Sequence, residues 1–138
     1  MVEQIAVGSL DTPIGVLWMA CSEQGVCKVI FPREGAKAAL ERWLASDMPT
    51  HELITTSALL ERTYAELDAY FAGSRHDFTL PLDLRGSPFQ RSVWRALTTI
   101  PYGRTVSYGD LARTLGTPKA ARAVGAACGA NPVPIIAP

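Results

Sequence analysis

Ser107-Tyr-Gly-Asp-Leu-Ala-Arg-Thr-Leu-Gly-Thr-Pro-Lys-Ala-Ala-Arg-Ala-Val-Gly-Ala-Ala127 is the stretch on which the fold of this chain turns. Ser107, with Asp110 three residues later, is a helix start signal, and Leu111 and Leu115 lie inside the helix it opens. Gly116-Thr117-Pro118 then reads as a tight turn, with Thr117 as cap and Pro118 as the first residue of another helix reaching about Ala127. Two short helices joined by a glycine-containing turn form a helix-turn-helix pattern. The second of them is nearly bare of bulk. Its only long side chains are Lys119 and Arg122, so its backbone can approach another surface closely. An Ala/Gly helix can equally be packed inside a protein, and this stretch alone leaves both readings open.

Upstream, Ser87-Pro88-Phe89-Gln90 combines an N-cap serine, proline at the first helical position and glutamine three residues after the cap. The helix it opens carries the apolar stripe Phe89, Val93, Trp94 and Leu97, and ends near Ile100-Pro101-Tyr102-Gly103. The first half has a different texture. Gln4–Leu10, Gly15–Cys21 and Val26–Phe31 are short apolar stretches separated by Asp11-Thr12-Pro13-Ile14 and Ser22-Glu23-Gln24-Gly25, which predicts a small antiparallel meander. Glu34–Ala45 follows at helical spacing, with Ala38, Leu40, Trp43 and Leu44 available for one face. A stronger helix is predicted from Ser57 to Phe71 through Leu60, Tyr64, Leu67 and Phe71, with Gly73 as its stop. Phe78–Leu84 is predicted as an extended connection or edge strand, since Pro81 argues against a central one.

The chain has 138 residues, 48% apolar and 19% charged, the composition of an ordinary globular protein of one or two small domains. No run approaches the ~20 apolar residues that span a bilayer. Met1-Val2-Glu3-Gln4 lacks the basic start of a signal peptide, and the expected location is cytoplasmic, or on the nucleoid of a prokaryote. Thirteen basic and thirteen acidic residues cancel, but not evenly along the chain. Residues 1–85 carry seven basic and twelve acidic groups, a net charge of −5. Residues 86–138 carry Arg91, Arg95, Arg104, Arg113, Lys119 and Arg122 against Asp110 alone, a net charge of +5. Such asymmetry points to a nucleic-acid or other anionic partner for the basic half, or to a basic face docked on the acidic half. The bare helix, its two cations and the basic surroundings together favour a DNA-facing helix.

Four motifs stand in order over the basic half: Gly86-Ser-Pro-Phe-Gln-Arg-Ser-Val-Trp-Arg-Ala-Leu97, Ile100-Pro-Tyr-Gly-Arg-Thr-Val-Ser-Tyr108, Pro118-Lys-Ala-Ala-Arg-Ala-Val-Gly125 and Asn131-Pro-Val-Pro-Ile-Ile136. In sequence and spacing this half resembles the methylated-DNA-protein-cysteine methyltransferases, which repair guanine alkylated on O6. The resemblance is dense over residues 86–138 and looser before them. It implies a ribonuclease-H-like α/β domain over residues 1–85, with a small antiparallel sheet and helices. It also implies an α-helical, winged-helix-like DNA-binding domain over residues 86–138, with a helix-turn-helix and incomplete at its C-terminus. Arg122 matches the arginine that enters the helix stack in place of an extruded base, a role suited to a planar, always charged group. Tyr108 matches the tyrosine that crowds the 3′ phosphate and promotes rotation of the nucleotide. The small residues around Ala121 and Gly125 would let the recognition helix enter the minor groove. Asn131 matches a hinge to the active-site segment, and Val133 and Pro134 would help line the base pocket. The implied partner is double-stranded DNA containing O6-alkylguanine, bound by a monomer, with no cofactor, metal or membrane.

In that family the last motif runs on into Cys-His-Arg, whose cysteine takes the alkyl group. Here the acceptor is expected directly after Pro138, so residues 1–138 are expected to be inactive alone, and the apolar stretch Val133-Pro-Ile-Ile-Ala-Pro138 is expected to leave them poorly soluble or loosely packed. Cys128 lies among small residues and reads as packing, Cys21 and Cys27 as buried strand thiols, and neither His51 nor His76 falls in the matching segment. Zinc ligation by Cys21, Cys27, His51 and His76 lacks the tight ligand spacings. Glu61, Glu66 and Asp68 read as a solvated helix face. Two alternatives remain: a non-catalytic module recognising alkylated or distorted duplex, and an unrelated α/β protein with a basic docking face.

Overall fold

A computed structural model describes residues 3–47 and 51–136. It divides into two units, the first ending at Asp83 and the second beginning at Leu84.

In the first unit, strands β1 (Glu3–Thr12), β2 (Gly15–Cys21) and β3 (Val26–Ile30) form the predicted meander. The β1–β2 turn is two residues long and closed by the Thr12 hydroxyl, which donates to the Gly15 carbonyl at 2.7 Å. Gly15 takes φ +119°, a conformation that the absence of a Cβ permits. A fourth strand, β4 (His51–Ile54), lies parallel to β1 and makes the order β3-β2-β1-β4. The sheet is therefore mixed, not antiparallel as the sequence predicted. Helix α1 (Ala36–Asp47) begins two residues later than predicted. It buries Ala36, Leu40 and Leu44, whereas Ala38 is exposed. These three pack with Ile5, Ala20, Cys27 and Ile30, and with the flanks of Val7 and Trp18.

Helix α2 (Ala58–Phe71) covers the opposite sheet face, which Ala6, Gly8 and Cys21 reach by strand alternation. Ser57 caps it, accepting from the Leu60 N–H at 3.1 Å, and Gly73 stops it at φ +80°. The ring of Tyr64 rests on Gly8, where a Cβ would stand 1.9 Å from the phenol oxygen. A sheet covered on both faces explains the unbroken apolar run Leu17-Trp-Met-Ala-Cys21. Beyond α2 the chain runs extended, as predicted, and comes alongside β3 at Val26. Val26 N–H donates to the Pro81 carbonyl at 2.9 Å, and Asp83 N–H to the Val26 carbonyl at 3.0 Å. Gly25 permits this approach, since a Cβ there would meet Leu82 and Asp83 backbone at 2.6 Å.

One prediction in this unit is reversed. Glu66 is not on a solvated face but buried at 6% exposure. Its carboxylate accepts from the Thr79 N–H at 2.8 Å and hydroxyl at 2.7 Å, and pairs with Arg75 at 3.2 Å and Arg62 at 3.3 Å. Burial alone would raise its pKa. The two Thr79 bonds and the two guanidinium groups outweigh burial and hold it below the ordinary glutamate value.

The second unit is helical: α3 (Pro88–Leu97), α4 (Tyr108–Thr114) and α5 (Ala121–Gly129). Both predicted capping boxes form, Ser87 with Gln90 and Ser107 with Asp110. Trp94 is the keystone. It is 2% exposed, its Nε1–H donates to the Ala127 carbonyl at 2.7 Å, and its ring lies against Gly86, where a Cβ would stand 2.6 Å away. Helix α5 starts at Ala121, three residues later than Pro118. Its N-cap, Ala120, offers no side-chain bond. Thr117 turns its hydroxyl back to the Ala112 carbonyl at 3.4 Å instead of capping forward. Lys119 accordingly sits in the turn, not on the helix. Ala137 and Pro138, which end the apolar stretch of the last motif, lie outside the described residues.

Candidate nucleic-acid interface

Helices α4 and α5 pack together across the turn around Gly116, which takes φ +75°. This contact brings two of the predicted site residues face to face. A Cβ on Gly125 would lie 3.0 Å from both Cδ2 and Cε2 of Tyr108, so that side of the tyrosine ring lies close against α5 at Gly125. The rest of the ring is open, at 56% exposure. Tyr108 is held at the first position of α4 by the cap beneath it. The Ser107 hydroxyl accepts from the Asp110 N–H at 3.0 Å, and the Asp110 carboxylate accepts from the Ser107 N–H at 3.4 Å. Those Ser107 bonds, reinforced by the neighbouring Arg113, hold the Asp110 carboxyl below its usual value.

Arg122 stands on the outward side of α5, exposed, and its side chain makes no hydrogen bond or ion pair with another described residue. The residues sharing that side are Ala123, Ala126 and Gly129, all exposed. Ala121 and Gly125 are partly buried instead. The outward strip was missed in the sequence, although counting one, four and seven residues on from Arg122 finds it. The small residues named there, Ala121 and Gly125, face the α4 side. Lys119 and Arg104 are exposed as well.

Asn131 ends α5. Its N–H donates to the Cys128 carbonyl at 3.2 Å, and its Oδ1 accepts from the Val133 N–H at 2.9 Å. That side-chain turn folds the chain back so that Val133 is fully buried, with Pro134 half-buried beside it. Ile135 takes φ +76°, a left-handed conformation that is strained for a β-branched residue.

None of the three thiols sits in a setting that favours thiolate. Burial pushes Cys21 up to about 11, only partly offset by its contact with the Thr63 hydroxyl. Burial also raises Cys128. Cys27 is buried and directs its sulfur at the Ala20 carbonyl, 3.3 Å away, as a protonated thiol does. No group of three or more metal-ligating side chains occurs among the described residues, and none of the helices among them is long and apolar enough to cross a membrane.

Comparison with known proteins gives two family models end to end. The ribonuclease-like domain of 6-O-methylguanine DNA methyltransferase matches residues 5–84, and the DNA-binding domain of the same family matches residues 88–138. A methylated-DNA-protein-cysteine methyltransferase of Mycolicibacterium paratuberculosis is 62% identical over 73 residues, which are 53% of this chain and 44% of that protein. One of Mycobacterium leprae is 40% identical over 130 residues, 94% of this chain and 73% of that protein. This chain thus spans less than half of the first relative and about three quarters of the second. The crystal structure of Mycobacterium tuberculosis O6-methylguanine methyltransferase matches with TM-score 0.80 at 36% identity, covering 97% of this chain and 75% of that one. The structure of the Mycobacterium tuberculosis protein in complex with DNA matches with TM-score 0.76 at 37% identity, covering 98% and 74%. The chain belongs to the 6-O-methylguanine DNA methyltransferase family.

Proposed function

We propose that residues 1–138 supply the DNA-recognition part of a protein that repairs guanine alkylated on O6. In this reading residues 1–85 are a ribonuclease-H-like scaffold. Residues 86–138 are a winged-helix-like DNA-binding domain whose α5 enters the minor groove of the duplex as a monomer. An O6-alkyl group inside a duplex cannot meet a thiolate in line, so the base must leave the stack. Arg122 fills the space and bonds the orphaned partner base, while Tyr108 crowds the neighbouring phosphate and turns the nucleotide outward. Asn131 sets the angle at which the chain leaves α5, and Val133 and Pro134 support the wall of the base pocket.

The chemistry is an irreversible displacement. A thiolate sulfur forms a bond to the alkyl carbon as the bond from that carbon to O6 breaks. Guanine departs with the electron pair and is restored on taking up a proton at the ring. Each protein turns over once, with no diffusible cofactor. Cys21, Cys27 and Cys128 are not assigned as the acceptor in this reading, because burial raises the pKa of the first and the last and the Cys27 thiol donates to the Ala20 carbonyl.

The observation that carries this reading is the outward face of α5, with Arg122, unpaired among the described residues, set between small residues and the Tyr108 ring beside it. The settings of these three thiols favour a second reading for residues 1–138 taken alone, a module that binds alkylated or distorted duplex without chemistry. Intact mass and duplex binding, measured on the same sample with an O6-methylguanine duplex, test both. Binding with unchanged mass is expected. A methyl gained on any of the three cysteines contradicts the acceptor assignment, and absence of duplex binding removes the DNA reading.

A further inference from the structure

Glycine in a helix interior is destabilising relative to alanine, because its backbone loses more freedom on folding. Gly125 nevertheless occupies the middle of α5, a helix otherwise built from four alanines, Val124, Arg122, Cys128 and Gly129. Its φ is not in the left-handed region, so the backbone does not require glycine there. Nor does tight core packing, since the three atoms nearest an added Cβ all belong to the exposed Tyr108. That ring is 56% exposed and could swing into solvent at little cost to the fold. What glycine secures at this position is the place of the Tyr108 ring.

We infer that Gly125 is a positioning residue for DNA recognition, the seat on which α5 holds the Tyr108 ring in the pose that meets the phosphate backbone. This rests on the DNA reading above and adds to it a division of labour. Gly125 acts through Tyr108 across the turn, while the close approach of α5 to a duplex belongs to Ala123, Ala126 and Gly129. A Cβ at Gly125 would stand 3.0 Å from two ring carbons, a contact so tight that the exposed ring must give way by a fraction of an ångström. The seat is thus maintained against the stability that alanine would give.

The test is a double-mutant cycle in the whole chain, with Gly125→Ala, Tyr108→Ala and both together, read by affinity for an O6-methylguanine duplex and by thermal melting. Gly125→Ala is expected to melt at the same or a higher temperature, yet to bind about fivefold more weakly, the scale of a single displaced contact. In the Tyr108→Ala background it is expected to change affinity by less than about twofold, because the group it positions is gone. Additive losses, or unchanged affinity in the single variant, overturn the inference. So does a lower melting temperature with unaltered affinity, which a purely structural glycine would give. Nuclear Overhauser contacts between the Tyr108 ring and the Gly125 α-protons report the seat without DNA. If those contacts are present and the unsubstituted protein binds no duplex, the DNA reading fails and the inferred role goes with it.

Discussion

A buried carboxylate in the first unit and a group of exposed cations in the second use charge in opposite ways. In the first, Glu66 is buried and engaged by Thr79, Arg62 and Arg75, which ties the end of α2 to the segment leading to the sheet edge. In the second, Arg91, Arg95, Arg104, Lys119 and Arg122 are exposed, and their side chains have no bond or ion pair to other described residues. Asp110, its single carboxylate, is occupied by Ser107 and Arg113. The Glu66 charge is part of the fold. The five cations are surplus to it, and a surplus of one sign on an exposed surface is available to a polyanion.

Substitutions can break that contrast. The largest expected effect is apolar and lies in the helical unit. Trp94→Ala removes a buried indole and its bond to Ala127 and should cost about 3–5 kcal/mol, measured by denaturant unfolding. Next comes the charge built into the first unit. Glu66→Ala leaves the Thr79 N–H and two guanidinium groups without their acceptor and should cost about 2 kcal/mol, since both arginines can still reach water. Because the folded Glu66 pKa lies below its unfolded value, this stabilisation is present above the ordinary glutamate range. It fades as pH falls through the folded value. Acid titration of stability should therefore be shallower in Glu66→Gln, and identical curves would deny the carboxylate its structural role. The smallest effect is expected from Arg91→Gln with Arg95→Gln, within about 0.5 kcal/mol by the same unfolding measurement. A larger loss would mean that these cations belong to the fold after all.

Much of the helical unit was legible because its signals are local. Each capping box is a pair three residues apart, and both formed where the serines stood. The start of α5 was not legible, since Thr117 found a partner behind it in Ala112 and left Ala120 to cap with no side chain. Strand β4 is four residues with no clean alternation, and its pairing with β1 is parallel and distant in sequence. The burial of Glu66 depends on Thr79, thirteen residues away, which helical periodicity cannot see. The seat of Tyr108 on Gly125 likewise joins residues on two helices. Family membership was legible for a different reason, the order and spacing of four motifs, and the family models and relatives agree with it.

The central claim, that the second unit meets DNA through the outward face of α5, is tested most directly at Arg122. Titration of an O6-methylguanine duplex into the unsubstituted protein and into Arg122→Ala should show affinity reduced about tenfold or more in the variant. The melting temperature should be unchanged, because that side chain holds nothing in the fold. Equal affinity for the duplex in the two proteins would contradict the account.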